Sequence, residues 1–176
     1  MFLSSSQGLT IDYDLDVLRE ITAVLDARLH VLVRQIQKSG DADGLGFSDT
    51  AEGLCGIGFV ACQQYLVATR SWLRVEKSQA LQCGPVHSCG DTVASIVNHA
   101  ANYWKHGDEW ELGKSDKQQA KTQDGLEAIL ADVEGGYPLT VVLARLVSPS
   151  DPWLFQHLLP LLVRWRDDMN TMFPHR

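Results

Sequence analysis

The stretch IDYDLDVLREITAVLDARLHVLVRQIQKSG, residues 11–40, decides the fold class. Its apolar side chains recur at steps of three and four residues, which places them on one face of an α-helix. They are Leu15, Leu18, Ile21, Leu25, Leu29, Leu32 and Ile36. Charged residues occupy positions between them, and Gly40 ends the pattern. The stretch therefore predicts a long amphipathic helix that packs against other helices.

Two more helices are predicted in the middle of the chain. Residues 40–58 are rich in glycine and are predicted to form a loop. A second helix is expected over residues 57–77. Asp91 is a good N-cap for a third helix, which is predicted to end at Gly107.

The last third of the chain continues the helical pattern. Residues 119–134 predict a fourth helix, and residues 138–147 suit either a short helix or a strand. The final helix is predicted to have Asp151 as its cap and Pro152 at its first position, and to be kinked at Pro160, which lacks an amide hydrogen. The predicted fold is all-α: one domain over residues 1–176, an up-down bundle of five or six helices.

Composition is that of an ordinary globular protein. The 176 residues are 45% hydrophobic and 21% charged, and the formal net charge is −7. This charge argues against a partner held mainly through nucleic-acid phosphates. No basic residue precedes the first short apolar stretch, so no secretory signal is expected and the cytoplasm is the predicted location. The four cysteines are therefore interpreted as reduced thiols. The longest apolar stretch, residues 153–163, is too short to span a bilayer.

The third helix carries the candidate functional residues. Its predicted core stripe consists of Val93, Val97, Ala100 and Trp104. His99, Asn102 and His106 share roughly the opposite face, which is either simply solvated or functional. The two histidines lie seven residues apart, about 10.5 Å along the axis, too far to chelate one metal ion as a pair. They are placed to act on either side of a ligand or to contact a partner chain.

The sequence ANYWKH, residues 101–106, resembles the short motif of HEPN domains, which are helical bundles of bacterial toxin and antiviral systems. Members with nuclease activity carry an arginine, a polar residue and then a histidine at a dimer interface. Asn102 matches the polar position and His106 the histidine, whereas Ala101 stands at the arginine position. The resemblance implies metal-independent RNA cleavage, but the group expected to hold phosphate is missing. It covers these six residues and the all-helical outline.

Two segments raise the alternative of a metal site. Residues 41–52, DADGLGFSDTAE, place acidic residues and a glycine much as a calcium-binding EF-hand loop does, but Leu45 replaces one oxygen ligand. The segment CGPVHSCG offers Cys83, His87 and Cys89, but their spacing does not match a common zinc module. A flexible acidic loop and a turn with reduced cysteines are the preferred interpretations. No metal and no cofactor is expected.

Two functional hypotheses result, and whether the protein is an enzyme is left open. The first is a non-catalytic bundle that binds a protein partner, with self-association as a homodimer. The alternative is a HEPN-like metal-independent endoribonuclease or a degenerate relative that binds RNA. In that alternative His106 is the acid or base, Asn102 positions it, and His99 or Lys105 substitutes for the missing arginine at the phosphate.

Overall fold

A computed structural model describes residues 2–4, 10–111, 117–131, 136–147 and 153–174. Its helices are α1 (Tyr13–Lys38), α2 (Phe47–Trp72), α3 (Lys77–Leu81), α4 (Val93–Glu111), α5 (Lys117–Leu130), α6 (Pro138–Leu146) and α7 (Leu159–Met172). Two short strands before α1, β1 (Phe2–Ser4) and β2 (Thr10–Asp12), pair in antiparallel orientation. The all-α prediction is confirmed, and the described residues contain seven helices, six of them with seven or more residues. The up-down order stays a prediction.

Helix α1 follows the prediction closely, with one exception. Its core face packs against α2 and a 3-10 turn at Phe155–His157, and Leu29 and Leu32 are fully buried there. Ile21, expected in the same stripe, is 41% exposed. At 100° per residue Ile21 lies roughly 70° from the centre of the buried stripe, which is why the bundle does not cover it.

Helix α2 begins at Phe47, so the predicted loop over residues 40–58 is wrong beyond residue 46. The reason is tertiary packing. A Cβ added at Gly56 would lie 2.2 Å from the Trp104 ring, and one at Gly58 would lie 2.2 Å from the Phe155 ring. These glycines allow two aromatic rings to lie directly against the helix backbone, and that packing outweighs the low helix propensity of glycine.

Helix α4 lies between α2 and α5, and most of its first two turns is buried around the circumference. Val93, Val97 and Ala100 are buried as predicted. Trp104 is only partly a core residue, because it is 41% exposed at the edge of α2. The helix also continues through Gly107 to Glu111, so the predicted end was wrong.

The end of the chain differs from the prediction in its helix boundaries. Residues 138–146 form a helix and not a strand. The predicted start at Asp151 lies outside the described residues. Helix α7 begins at Leu159, so Pro160 lies in its first turn, where an amide hydrogen is not needed. The predicted kink at Pro160 is therefore wrong.

A buried ion pair fixes the start of α1 against α2 and α7. Asp12 accepts hydrogen bonds from the Leu15 amide (3.0 Å), the Tyr65 hydroxyl (2.9 Å) and Nη1 of Arg166 (2.8 Å). Asp12 and Arg166 are each 6% exposed. One carboxylate therefore caps the first helix and neutralises a buried guanidinium from the last helix.

Two further carboxylates hold later elements in place. Asp26 of α1 accepts from the backbone amide of Phe155 at 2.7 Å, at the start of the 3-10 turn. Glu52 of α2 accepts from the amides of Leu139 (2.7 Å) and Thr140 (2.9 Å), in the first turn of α6. Both carboxylates satisfy amides that have no partner within their own helical turn. These residues therefore have structural roles.

Candidate functional site

His99 lies at the contact between α4 and α5, and it is 9% exposed. A Cβ added at Gly125 of α5 would lie 2.6 Å from the His99 ring, so the imidazole packs directly on the α5 backbone. The prediction of a solvated face is therefore wrong for His99. A helix covered on two sides leaves little of its surface to solvent, and the sequence of α4 alone does not reveal its second neighbour.

The environment of His99 favours its neutral form. Burial lowers the pKa of His99, and the charges of Lys121 and Lys77 lower it further, while Asp91 acts in the opposite direction. Its Nδ1 atom is buried and has no hydrogen-bond partner among the described residues. A buried polar atom without a partner is costly, and it indicates a place where a ligand or water can bind.

Asn102 belongs to a network of side-chain amides between α2 and α4. Nε2 of Gln63 donates to Oδ1 of Asn98 and to Oδ1 of Asn102, both at 3.0 Å. Nζ of Lys105 donates to Oε1 of Gln63 at 2.8 Å. Gln63 already bonds one lone pair of each amide oxygen of Asn98 and Asn102. These two side chains can therefore offer a ligand their N–H donors and the second lone pair of each oxygen.

These residues open into a cavity of about 610 Å³, here called the α4–α5 cleft. It is lined by Glu76, Lys77, Ser78, Leu81, Asn98, His99, Asn102, Lys117, Lys121 and Thr122. Asn98, His99 and Thr122 are its buried polar residues, and the three lysines are exposed. His99 and Asn102 are therefore brought together as predicted. His106, which is half-buried, is not part of the lining.

The cleft is positively charged, although the whole chain is acidic. Burial lowers the pKa of Lys77, and the charges of Lys105, Arg70 and Lys121 lower it further. Glu76 is the one carboxylate among the described residues that line the cleft. The lysines come from α3 and α5, which are far apart in sequence, so no local motif could have predicted this concentration of charge.

The two segments with metal-ligand types do not assemble a metal site in the described part of the chain. Helix α2 already begins at Phe47, the seventh position of the EF-hand-like segment, and both oxygens of Glu52, at the twelfth, accept from the amides of Leu139 and Thr140, so the twelve-residue loop of an EF-hand is not formed. Nδ1 of His87 contacts Sγ of Cys89 at 3.1 Å, whereas the Cys83 thiol donates to the carbonyl of Gln79. Among the described residues, no three His, Cys, Asp or Glu side chains are grouped to hold a metal ion.

A second surface feature lies on α1, to one side of its core face. Tyr13, Val17, Ile21 and Val24 are 55%, 57%, 41% and 72% exposed. Their steps of four, four and three residues place them in one stripe, here called the α1 stripe. The same helical periodicity also contains this second stripe, but the sequence does not reveal that no helix in the described part of the chain covers it.

Beyond Val24 the same face of α1 leads into a shallow cavity of about 440 Å³. It is lined by Val31, Arg34, Gln35, Lys38, Ser39, Leu45 and Phe47. Leu45 is 60% exposed, and Oε1 of Gln35 is buried without a hydrogen-bond partner among the described residues. The cavity therefore combines an apolar wall with an unsatisfied acceptor.

Comparison with known protein families, curated proteins and solved structures finds no significant match. The HEPN-like resemblance therefore still depends on residues 101–106 and the all-helical outline. Within the described helices, none has the length and apolar character needed to cross a membrane.

Proposed function

We propose that this protein is a non-catalytic helical-bundle module that binds a second copy of itself through the α1 stripe. The observation that carries the proposal is the row of four exposed apolar side chains, Tyr13, Val17, Ile21 and Val24. Contiguous apolar surface of this kind on a folded protein marks an interaction site. A helix of 26 residues is about 39 Å long, which is enough to contribute an extended interface.

The charges of α1 favour an antiparallel pair. Its first half carries Asp14, Asp16 and Glu20 with one cation, Arg19, which pairs with Asp16 at 3.0 Å. The exposed charges of its second half are basic: Arg28, Arg34 and Lys38. In an antiparallel pair the acidic half of each copy faces the basic half of the other, whereas a parallel pair places like charges together.

In the same arrangement, the cavity beside Gln35 of one copy can accommodate the Tyr13 side chain of the other. Tyr13 and Gln35 are each eleven residues from Val24, about 16.5 Å along the axis in opposite directions. An antiparallel pair centred near Val24 therefore brings Tyr13 of each copy over the cavity beside Gln35 of the other. The phenol ring would contact Leu45 and Val31, and its hydroxyl would donate to the unpaired Oε1 of Gln35.

Light scattering after size-exclusion chromatography tests the proposal. We expect the full chain to have twice the 19.5 kDa mass of one copy. Val24→Glu and Tyr13→Ala should weaken the dimer by at least about tenfold, because the first places a charge at the centre of the interface and the second removes the ring that fills the cavity of the other copy. Val86→Glu is the matched control, since Val86 is 66% exposed outside α1. A monomeric wild-type protein, or equal effects of Val24→Glu and Val86→Glu, would overturn the proposal.

A charge exchange tests the antiparallel order. Glu20→Lys and Arg28→Glu should each weaken the dimer, because each places like charges on facing halves. A mixture of the two variants should restore it, since both facing pairs again have opposite signs. Single variants that dimerise as well as the wild type would contradict the antiparallel arrangement.

The endoribonuclease is a second candidate, favoured by the position of Asn102 in a cationic cleft. In this function His106 is the acid or base, and Lys105, linked to Asn102 through Gln63, takes the place of the missing arginine. The test is cleavage of single-stranded RNA in EDTA. Cleavage that His106→Ala abolishes would support it, and intact RNA after prolonged incubation with the wild-type protein would exclude it.

A further inference from the structure

The α4–α5 cleft has the size of a small-molecule site. Its volume of about 610 Å³ lies within the range of roughly 300–1,000 Å³ for ligand pockets. Its inner part is built from buried polar side chains, since Asn98, His99 and Thr122 are 5%, 9% and 2% exposed. Buried polar residues at a cavity indicate recognition of a polar ligand, because an empty apolar packing defect would be lined by hydrocarbon.

The hydrogen-bonding groups that face the cleft are mostly donors. The oxygens of Asn98 and Asn102 each accept one bond from Gln63, whereas the amide N–H groups of both side chains remain available to donate. Lys77, Lys117 and Lys121 contribute ammonium groups, which donate only. Among the described residues of the lining, Glu76, Ser78 and Thr122 can also accept, as can one nitrogen of the neutral His99 ring and the remaining lone pairs of the two amide oxygens. A ligand rich in acceptors and negative charge fits this composition.

We propose that the α4–α5 cleft binds a phosphate-bearing small molecule of about nucleotide size. The lysines hold the phosphate oxygens, and the amide groups of Asn98 and Asn102 and the unpartnered His99 nitrogen bond the less charged part of the ligand. A small ligand fits better than a long polyanion, because the chain as a whole carries −7 and repels phosphates outside the cleft. This inference is independent of self-association, since the cleft and the α1 stripe share no residue.

Isothermal titration calorimetry of the full chain in EDTA tests the site. The probes are inorganic phosphate, AMP and ATP, with adenosine as the uncharged comparison. We expect at least one of the phosphate compounds to bind and adenosine to bind more weakly than AMP. Lys121→Glu and Lys77→Glu should weaken binding by at least about tenfold each, because each replaces an attractive charge with a repulsive one.

Arg164→Glu is the matched control, since Arg164 is exposed on α7 and does not line the cleft. It changes the net charge equally and should leave binding unchanged. Thermal melting of each variant by circular dichroism checks that it is folded. Absence of binding to all three phosphate compounds, or equal effects of Lys121→Glu and Arg164→Glu, would overturn the proposal. So would binding of an RNA oligonucleotide by a protein that binds no mononucleotide.

Discussion

Removing the carboxylate of Asp12 should destabilise the protein more than removing an exposed carboxylate of the same helix. Asp12 supplies both the cap of α1 and the partner of a buried guanidinium. In Asp12→Ala, Arg166 loses its 2.8 Å ion pair, and the Tyr65 hydroxyl loses its acceptor. Tyr65 belongs to α2, which packs on α1, and Arg166 belongs to α7, which packs on the 3-10 turn at Phe155–His157. The loss therefore affects α1, α2 and α7.

The size of the effect follows from these contacts. Loss of one partner from a buried ion pair costs about 3–5 kcal/mol, and loss of an N-cap costs about 1 kcal/mol. Arg166 keeps a second partner, Asp167, at 2.7 Å, which reduces the cost of leaving it charged. We therefore expect a loss of about 4 kcal/mol in the free energy of unfolding. This is a large share of the stability of a typical domain, about 5–15 kcal/mol.

Urea unfolding followed by circular dichroism at 222 nm measures this loss. Asp16→Ala is the control, because Asp16 pairs with Arg19 at the surface, where both side chains are more than half exposed. Its cost should be below about 1 kcal/mol. Asp12→Asn should fall between the two variants, since it keeps an oxygen acceptor but loses the charge. If Asp12→Ala and Asp16→Ala have equal stability, the structural role assigned to Asp12 is wrong.

Two further predictions concern α2 and the cleft. Gly56→Ala should lower the midpoint of thermal unfolding, because the new methyl group would collide with the Trp104 ring. Gly107→Ala should raise the midpoint, since nothing lies within 4 Å of a Cβ there. Equal shifts of the two variants would contradict the packing of Trp104 on Gly56. The lowered pKa of His99 means that the folded protein binds a proton at His99 less tightly than the unfolded chain does. The contribution of His99 to the free energy of unfolding should therefore be fully present above pH 6.5 and should be lost as the pH decreases below it. His99→Gln should reduce this dependence in urea unfolding measured across pH, and an unchanged profile would show that His99 does not contribute to it.

The buried face and the end of α1 were predicted well from the sequence of that helix. The buried face of α1 is set by a repeat within the helix itself, and its observed end at Lys38 lies just before the predicted stop at Gly40. Helix α2 was predicted to start about ten residues too late, because its glycines suggested a loop. What makes that segment helical is the contact of Gly56 and Gly58 with aromatic rings from distant parts of the chain.

The candidate site was predicted only in part, and for the same physical reason. His99 and Asn102 are on one face of α4, as the helical period requires. Their surroundings depend on α5, whose Gly125 lets the helix approach His99, and on Lys77 and Lys121, each of which lies 22 residues from His99 in sequence. The periodicity of α4 does not show that α5 packs against its second side. The burial of His99 and the positive charge of the cleft could therefore not be predicted.

Contacts between two copies across the α1 stripe can be observed directly by isotope-filtered NMR. A sample is mixed from one copy with labelled valine and isoleucine methyl groups and one unlabelled copy. We expect intermolecular nuclear Overhauser effects to the methyl groups of Val17, Ile21 and Val24. We also expect them between the methyl groups of Val31 and the ring of Tyr13 in the other copy. Their absence at millimolar protein concentration, or intermolecular contacts confined to other helices, would contradict self-association through α1.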